Sequence, residues 1–184
     1  MTTLIIGLIV FFGVHFLPVF ADRRARYISK IGELPYKGVY AVVSLVGFGL
    51  ILLGKADAPF ISIWQPPQVL SLVPKLLMLP AFILLVAAYI PSNIKQKVRH
   101  PMLLAVKLWA LGHLMINGDL ASILLFGSFL IYCVVDMISV NRRSEWQKPE
   151  LKPFYMTVVV VIVGVGVYGA VAMNHAKLFG VPIF

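Results

Sequence analysis

Charged side chains are scarce in this sequence. Lys and Arg number 16 and Asp and Glu 7 among 184 residues, 12% in all, against 60% hydrophobic residues. So few charges cannot clothe a compact water-soluble domain, where about 25% is usual, and the apolar excess equally excludes a disordered chain. Cysteine is nearly absent. The one residue, Cys133, stands in an apolar stretch, which excludes a disulfide framework, a multi-cysteine cluster and any purely sulfur-bound metal. The shortage of acidic residues leaves a net charge of +9. In a soluble protein that charge would point to nucleic acid; in a membrane protein it records where loops face, and no nucleic-acid partner is expected. The start also lacks the basic region of a signal peptide, because the arginines follow the first apolar run instead of preceding it. That run reads as a retained helix.

What is abundant is long apolar runs. A bilayer core of ~30 Å needs about 20 such residues in a helix. Six runs qualify as spans: Thr2 to Ala21, Val39 to Leu53, Leu70 to Ile90, Pro101 to Asn117, Leu120 to Val140 and Tyr155 to Met173. The expected fold is therefore all-α, a polytopic integral membrane bundle of about six helices forming a single transmembrane domain over 1–184. The second run is the weakest, since it spans only about 22 Å at ~1.5 Å per residue. Between the second and third runs, Trp64, Pro66 and Pro67 read as an interfacial segment.

Twelve of the 16 basic residues fall in the first, third and fifth connections. These are Arg23, Arg24, Arg26, Lys30 and Lys37; Lys95, Lys97 and Arg99; and Arg142, Arg143, Lys148 and Lys152. By the positive-inside rule those connections face the cytoplasm and both termini face the periplasm, as an even number of spans requires.

Four histidines are candidates for chemistry. His15 and His113 lie inside spans, where ionisable groups are costly and face a protein interior or a cofactor. His100 opens the fourth span and His175 follows the sixth. Neutral imidazoles on separate helices are the usual holders of a flat b-type haem; the alternative is that each simply bonds a neighbouring helix. Lys107, deep in the fourth span, would face a haem propionate or form a structural ion pair with Asp136. Arg99-His100-Pro101 suits topological anchoring, with proline at the first helical position. Asn117, Gly118 and Asp119 form a polar turn between spans four and five, with Asn117 four residues after His113. The sequence Gly164-Val165-Gly166-Val167-Tyr168-Gly169 matches a dinucleotide-binding turn only superficially. Only 15 residues follow Gly169 and none is acidic, so these glycines are read as places of close helix approach.

The run from His100-Pro101-Met102 through Lys107-Leu108-Trp109 to Gly112-His113, continuing as Asn117-Gly118-Asp119-Leu120-Ala121-Ser122, strongly resembles the NnrU family of bacterial membrane proteins. So do Phe12-Gly13-Val14-His15-Phe16-Leu17-Pro18, Gly32-Glu33 with Tyr36-Lys37-Gly38, Leu79-Pro80 through Tyr89, and His175 with Leu178-Phe179-Gly180-Val181-Pro182. The resemblance covers nearly the whole chain. It implies an inner-membrane protein associated with denitrification and linked to nitrite and nitric oxide reductase function. The family is also similar to the membrane haem b protein 15-cis-zeta-carotene isomerase, which implies haem ligation by His15 and His113. The isomerase has a ligand-exchanging cysteine one turn before the second histidine; here that position is Ala110.

Three functions follow from the resemblances. One is a haem protein handling nitric oxide or assisting a reductase. Another is an isomerase of a polyene or related lipid. The Arg-His-Pro tripeptide also resembles membrane isoprenylcysteine-type methyltransferases, which gives a third, although the residues after it differ. Depth along the spans offsets His15 from His113 by roughly 10–13 Å at ~1.5 Å per residue, so depth alone favours His175 as the partner of His113.

Overall fold

A computed structural model describes residues 1–181. Pro182, the last residue of the family-like C-terminal string, lies outside them. Among the described residues the chain forms seven α-helices: α1 (Thr2–His15), α2 (Ala21–Ile31), α3 (Glu33–Ala56), α4 (Leu72–Tyr89), α5 (Pro101–Leu114), α6 (Leu120–Arg143) and α7 (Phe154–Phe179). Five stretches are long and apolar enough to cross a membrane: Thr2–Val19, Glu33–Ala56, Gln68–Tyr89, Leu120–Arg143 and Phe154–Phe179. The protein is a polytopic all-helical membrane protein.

The boundaries depart from the apolar runs for identifiable reasons. The second span grows to 24 residues, because its flanking charges are neutralised within the fold. Lys37 pairs with Glu33 one turn away at 2.8 Å, and Lys55 is paired with Asp119 at 3.1 Å. The fourth shrinks to 14 residues, about 21 Å at ~1.5 Å per residue, so Asn117 is not on the helix that carries His113. Regular helix in α1 stops at His15, three residues before Pro18, whose missing N–H and ring cannot continue an α-turn. A short 3-10 turn at Leu17–Val19 completes that span. Helix α7 runs six residues past Met173 and ends at Gly180, whose φ of +75° suits a residue without a side chain.

The helices fall into two compact units, residues 1–66 with 117–143, and residues 67–116 with 144–184. In the first, α1 and α3 form an antiparallel hairpin on which α6 packs. Their seam is made of glycine. A Cβ on Gly7 would stand 2.6 Å from the Ile51 nitrogen, and one on Gly47 would stand 2.7 Å from the Phe11 nitrogen. Gly54 is pressed against the backbone of Leu4 in the same way. Such contacts let backbones approach and replace the hydrophobic drive that lipid cannot supply. Leu4, Ile51 and Cys133 are buried between these helices.

In the second unit α4 packs against both α5 and α7. Gly164 of α7 abuts Ile83, and Gly112 of α5 abuts Pro74 and Met78. Gly166 and Gly169 meet nothing within 4 Å, so only the first glycine of the Gly164–Gly169 run serves close approach. Asn93 zips the basic end of this unit. Its amide donates to the Lys152 carbonyl at 2.8 Å, its side-chain oxygen accepts from the Lys152 N–H at 2.8 Å, and its own N–H donates to Thr157.

Candidate functional site

His15 closes α1 within an aromatic enclosure. The Phe11 ring stacks on it at 3.9 Å, Tyr40 of α3 lies at 5.2 Å, and Tyr132 of α6 stands perpendicular at 5.7 Å. Phe12 and Phe129 extend the layer behind them. The imidazole Nδ1 is 2.7 Å from the Phe11 carbonyl. A carbonyl can only accept, so Nδ1 carries the proton and the lone pair resides on Nε2.

His113 is built alike near the end of α5. Its Nδ1 donates to the Trp109 carbonyl at 2.8 Å, and the Trp109 ring lies 5.2 Å away. His175 of α7 donates from Nδ1 to the Val181 carbonyl at 2.6 Å beside the Phe179 ring. His113 and His175 belong to one unit and His15 to the other. Each of the three thus presents Nε2 as the basic nitrogen, the tautomer that backbone-anchored metal ligands use. Among the described residues no group of three or more His, Cys, Asp or Glu gathers to hold a bare metal ion. A lone imidazole with an anchored Nδ1 and aromatic rings beside it is the type of donor taken by a metallo-macrocycle that brings four ligands of its own.

The other candidates divide. Lys107 is half-buried on α5, six residues before His113, which is about 9 Å along the axis and a third of a turn round. Asp136, the alternative partner expected for Lys107, faces Arg143 at 3.9 Å, and Arg143 also donates to the Pro18 carbonyl at 2.5 Å. His100 caps α5 ahead of Pro101, in keeping with an anchoring role. Ala110 is fully buried and its methyl offers no ligand atom.

A polar cluster at the far end of the first unit was hidden from the sequence. Lys55 donates to Asp119 at 3.1 Å and to Ser122 at 2.8 Å, while the Ser122 N–H donates to Asp119 at 2.9 Å and caps α6. The turn carrying Asp119 also pairs with the segment after α3: Ile63 and Trp64 donate to the Gly118 carbonyl, and Leu120 donates to that of Ile61. Gly118 lies against the Trp64 carbonyl with no space for a Cβ. Burial pushes the Asp119 carboxyl up, but hydrogen bonds from Ser122 and then Lys55 outweigh it and hold it below the ordinary carboxylate range. A group depressed in the folded state stabilises above the unfolded pKa and ceases to do so as pH falls through the folded one. The wild type should therefore lose stability on acidification below about pH 4. Asp119→Ala should cost about 1 kcal/mol through the lost cap alone, and more through the unpaired Lys55. Its thermal midpoint should also respond less to acid than the wild-type midpoint, and equal acid responses would show that Asp119 is not the group responsible.

No curated protein and no solved structure matches the chain. The family described as NnrU protein matches residues 3–183, nearly the whole chain, with every histidine discussed above inside the match. The chain belongs to the NnrU protein family.

Proposed function

We propose that this protein binds b-type haem through histidine and serves nitric oxide and nitrite metabolism in a bacterial inner membrane, with both termini on the periplasmic side. One observation carries the haem reading. Three imidazoles, His15 and His113 within apolar runs and His175 near the end of α7, each have Nδ1 committed to a main-chain carbonyl, which leaves Nε2 as the basic atom beside aromatic rings. Haem, when bound, supplies an iron able to take nitric oxide or to pass an electron. The chain's own part is to fix the ligand tautomer and exclude water. Lys107 is the proposed propionate partner. The tie to nitrogen oxides rests on the family resemblance, and the basic ends of the two units support a cytoplasmic assignment for those ends.

His15 and His113 are the ligands implied by resemblance. The pair His113 and His175 is a second reading, favoured by their shared unit. Isomerisation has less support, since the buried Ala110 cannot exchange as a ligand.

The test is an absorption spectrum of protein purified from cells supplied with haem precursor. A Soret band is expected, and it should shift when nitric oxide is added to the reduced protein. Colourless protein sinks the haem reading and turns attention to the methyltransferase resemblance. A band indifferent to nitric oxide, together with turnover of a polyene, would favour the isomerase.

A further inference from the structure

Helix α2 is a short helix with no buried residue: 11 residues, packed against the 3-10 turn after α1 and against α3. Isolated helices of that length are marginal in water, and with no residue fully buried against the protein, α2 gains further from an interface that takes up its apolar side chains. Its position says which. The preceding span ends at Val19 and the following one begins at Glu33, so α2 is held at the membrane surface from both sides. Apolar groups along it remain exposed, namely Tyr27 and Ile31, with Phe20 and Leu34 at its flanks.

The basic residues are not scattered. Arg23, Arg26, Tyr27 and Lys30, at helical spacing i, i+3, i+4 and i+7, share one exposed face and line a shallow open groove between their side chains. Among the described residues none of the three cations has an acidic partner within 4 Å. Arg23 lies over the Phe20 ring at 5.1 Å, and the Arg26 Nε meets only the Asp22 carbonyl, at 3.5 Å. Topology needs positive charge on this side of the membrane, but it does not need three cations aligned on one face of a surface helix. Like charges on one helix face repel, and an anion between them reverses the sign of that term. Guanidinium groups match phosphate oxygens in fork geometry, and a tyrosine at headgroup depth can donate a further hydrogen bond.

We propose that α2 lies flat in the headgroup layer and that Arg23, Arg26 and Lys30, with Tyr27, hold the phosphate of an anionic phospholipid such as phosphatidylglycerol or cardiolipin. A zwitterionic headgroup carries its own ammonium and does not neutralise the groove. The site is independent of haem.

The test is native mass spectrometry of the full-length protein, released from detergent after equilibration with equal amounts of phosphatidylglycerol and phosphatidylcholine. Wild type should retain phosphatidylglycerol in preference. Substituting R23Q, R26Q and K30Q together should reduce that retention at least about tenfold, given that each basic residue at a surface contributes on the order of one kcal/mol. Neutralising three exposed cations elsewhere, K97Q, R142Q and K148Q, should leave it unchanged. Equal losses in the two triple variants overturn the proposal, because net charge and not α2 would then govern retention. So does wild-type retention of phosphatidylglycerol no greater than that of phosphatidylcholine, a comparison that stands even where a variant fails to fold. Inorganic phosphate that displaces the lipid completely would mark a soluble-anion site and would overturn the lipid assignment.

Discussion

Replacing Gly54 by leucine is expected to lower the temperature at which the first unit opens well below that of the wild type. The α1–α3 hairpin closes on three glycines, and at Gly54 the neighbour is the Leu4 backbone, which cannot rotate away as a side chain can. Overpacking of a well-packed core usually costs about 1–3 kcal/mol, and more where main chain must shift, against a total stability of about 5–15 kcal/mol. Separating the helices here would also open the contacts that bury Leu4 and Ile51. Cys133 offers the readout. As the single cysteine, fully buried, it should react with a maleimide only when the first unit opens. Gly54→Leu should label at temperatures at which the wild type is protected. Gly49→Leu, five residues earlier in α3 and with nothing within 4 Å of an added Cβ, should behave as wild type. A Gly54→Leu labelling midpoint equal to that of the wild type would show that the seam is looser than its geometry implies.

His113→Ala should reduce bound haem at least about tenfold, whichever imidazole completes the pair, because His113 is common to both proposed ligand sets. The partner follows from two further variants. Loss of the Soret band in His15→Ala with retention in His175→Ala assigns the pair implied by resemblance; the converse assigns His175. Since alanine also removes the bond to the Trp109 carbonyl, His113→Gln should be measured beside it, with Cys133 protection confirming that each protein is folded. Full haem content in folded His113→Ala would exclude that residue as a ligand.

Much of this was legible in the sequence, and the reasons are physical. Apolar runs located the spans because lipid tolerates few charges, and lone membrane-depth histidines stood out because they are costly there. The errors came where tertiary pairing changed the meaning of a charge. Lys55 looked like the end of a span until Asp119 and Ser122, in a turn far along the chain, neutralised it and let α3 continue to Ala56. Asp136 looked like a partner for Lys107, yet Arg143 two turns away on its own helix reaches it. The enclosure of His15 by Tyr40 and Tyr132 was equally hidden, because each tyrosine comes from a different helix. The spacing of Tyr36 with Tyr40, and of Tyr132 with Asp136, one turn apart in each case, is the only trace the sequence carries of that surround.

The chain weaves between its two units, leaving the first after Pro66 and returning to it at Asn117. On the ribosome this order imposes a wait. Lys55 emerges 64 residues ahead of Asp119. At about 5–20 residues per second it must spend roughly 3–13 s uncompensated while α4 and α5 are still being threaded into the bilayer. During that interval the nascent hairpin is held by the α1–α3 seam, its glycine contacts and the side chains packed beside them, without the Lys55–Asp119 pair. Codon changes that slow synthesis between residues 67 and 116 should therefore expose the early intermediate to quality-control proteases more than equal slowing after residue 143.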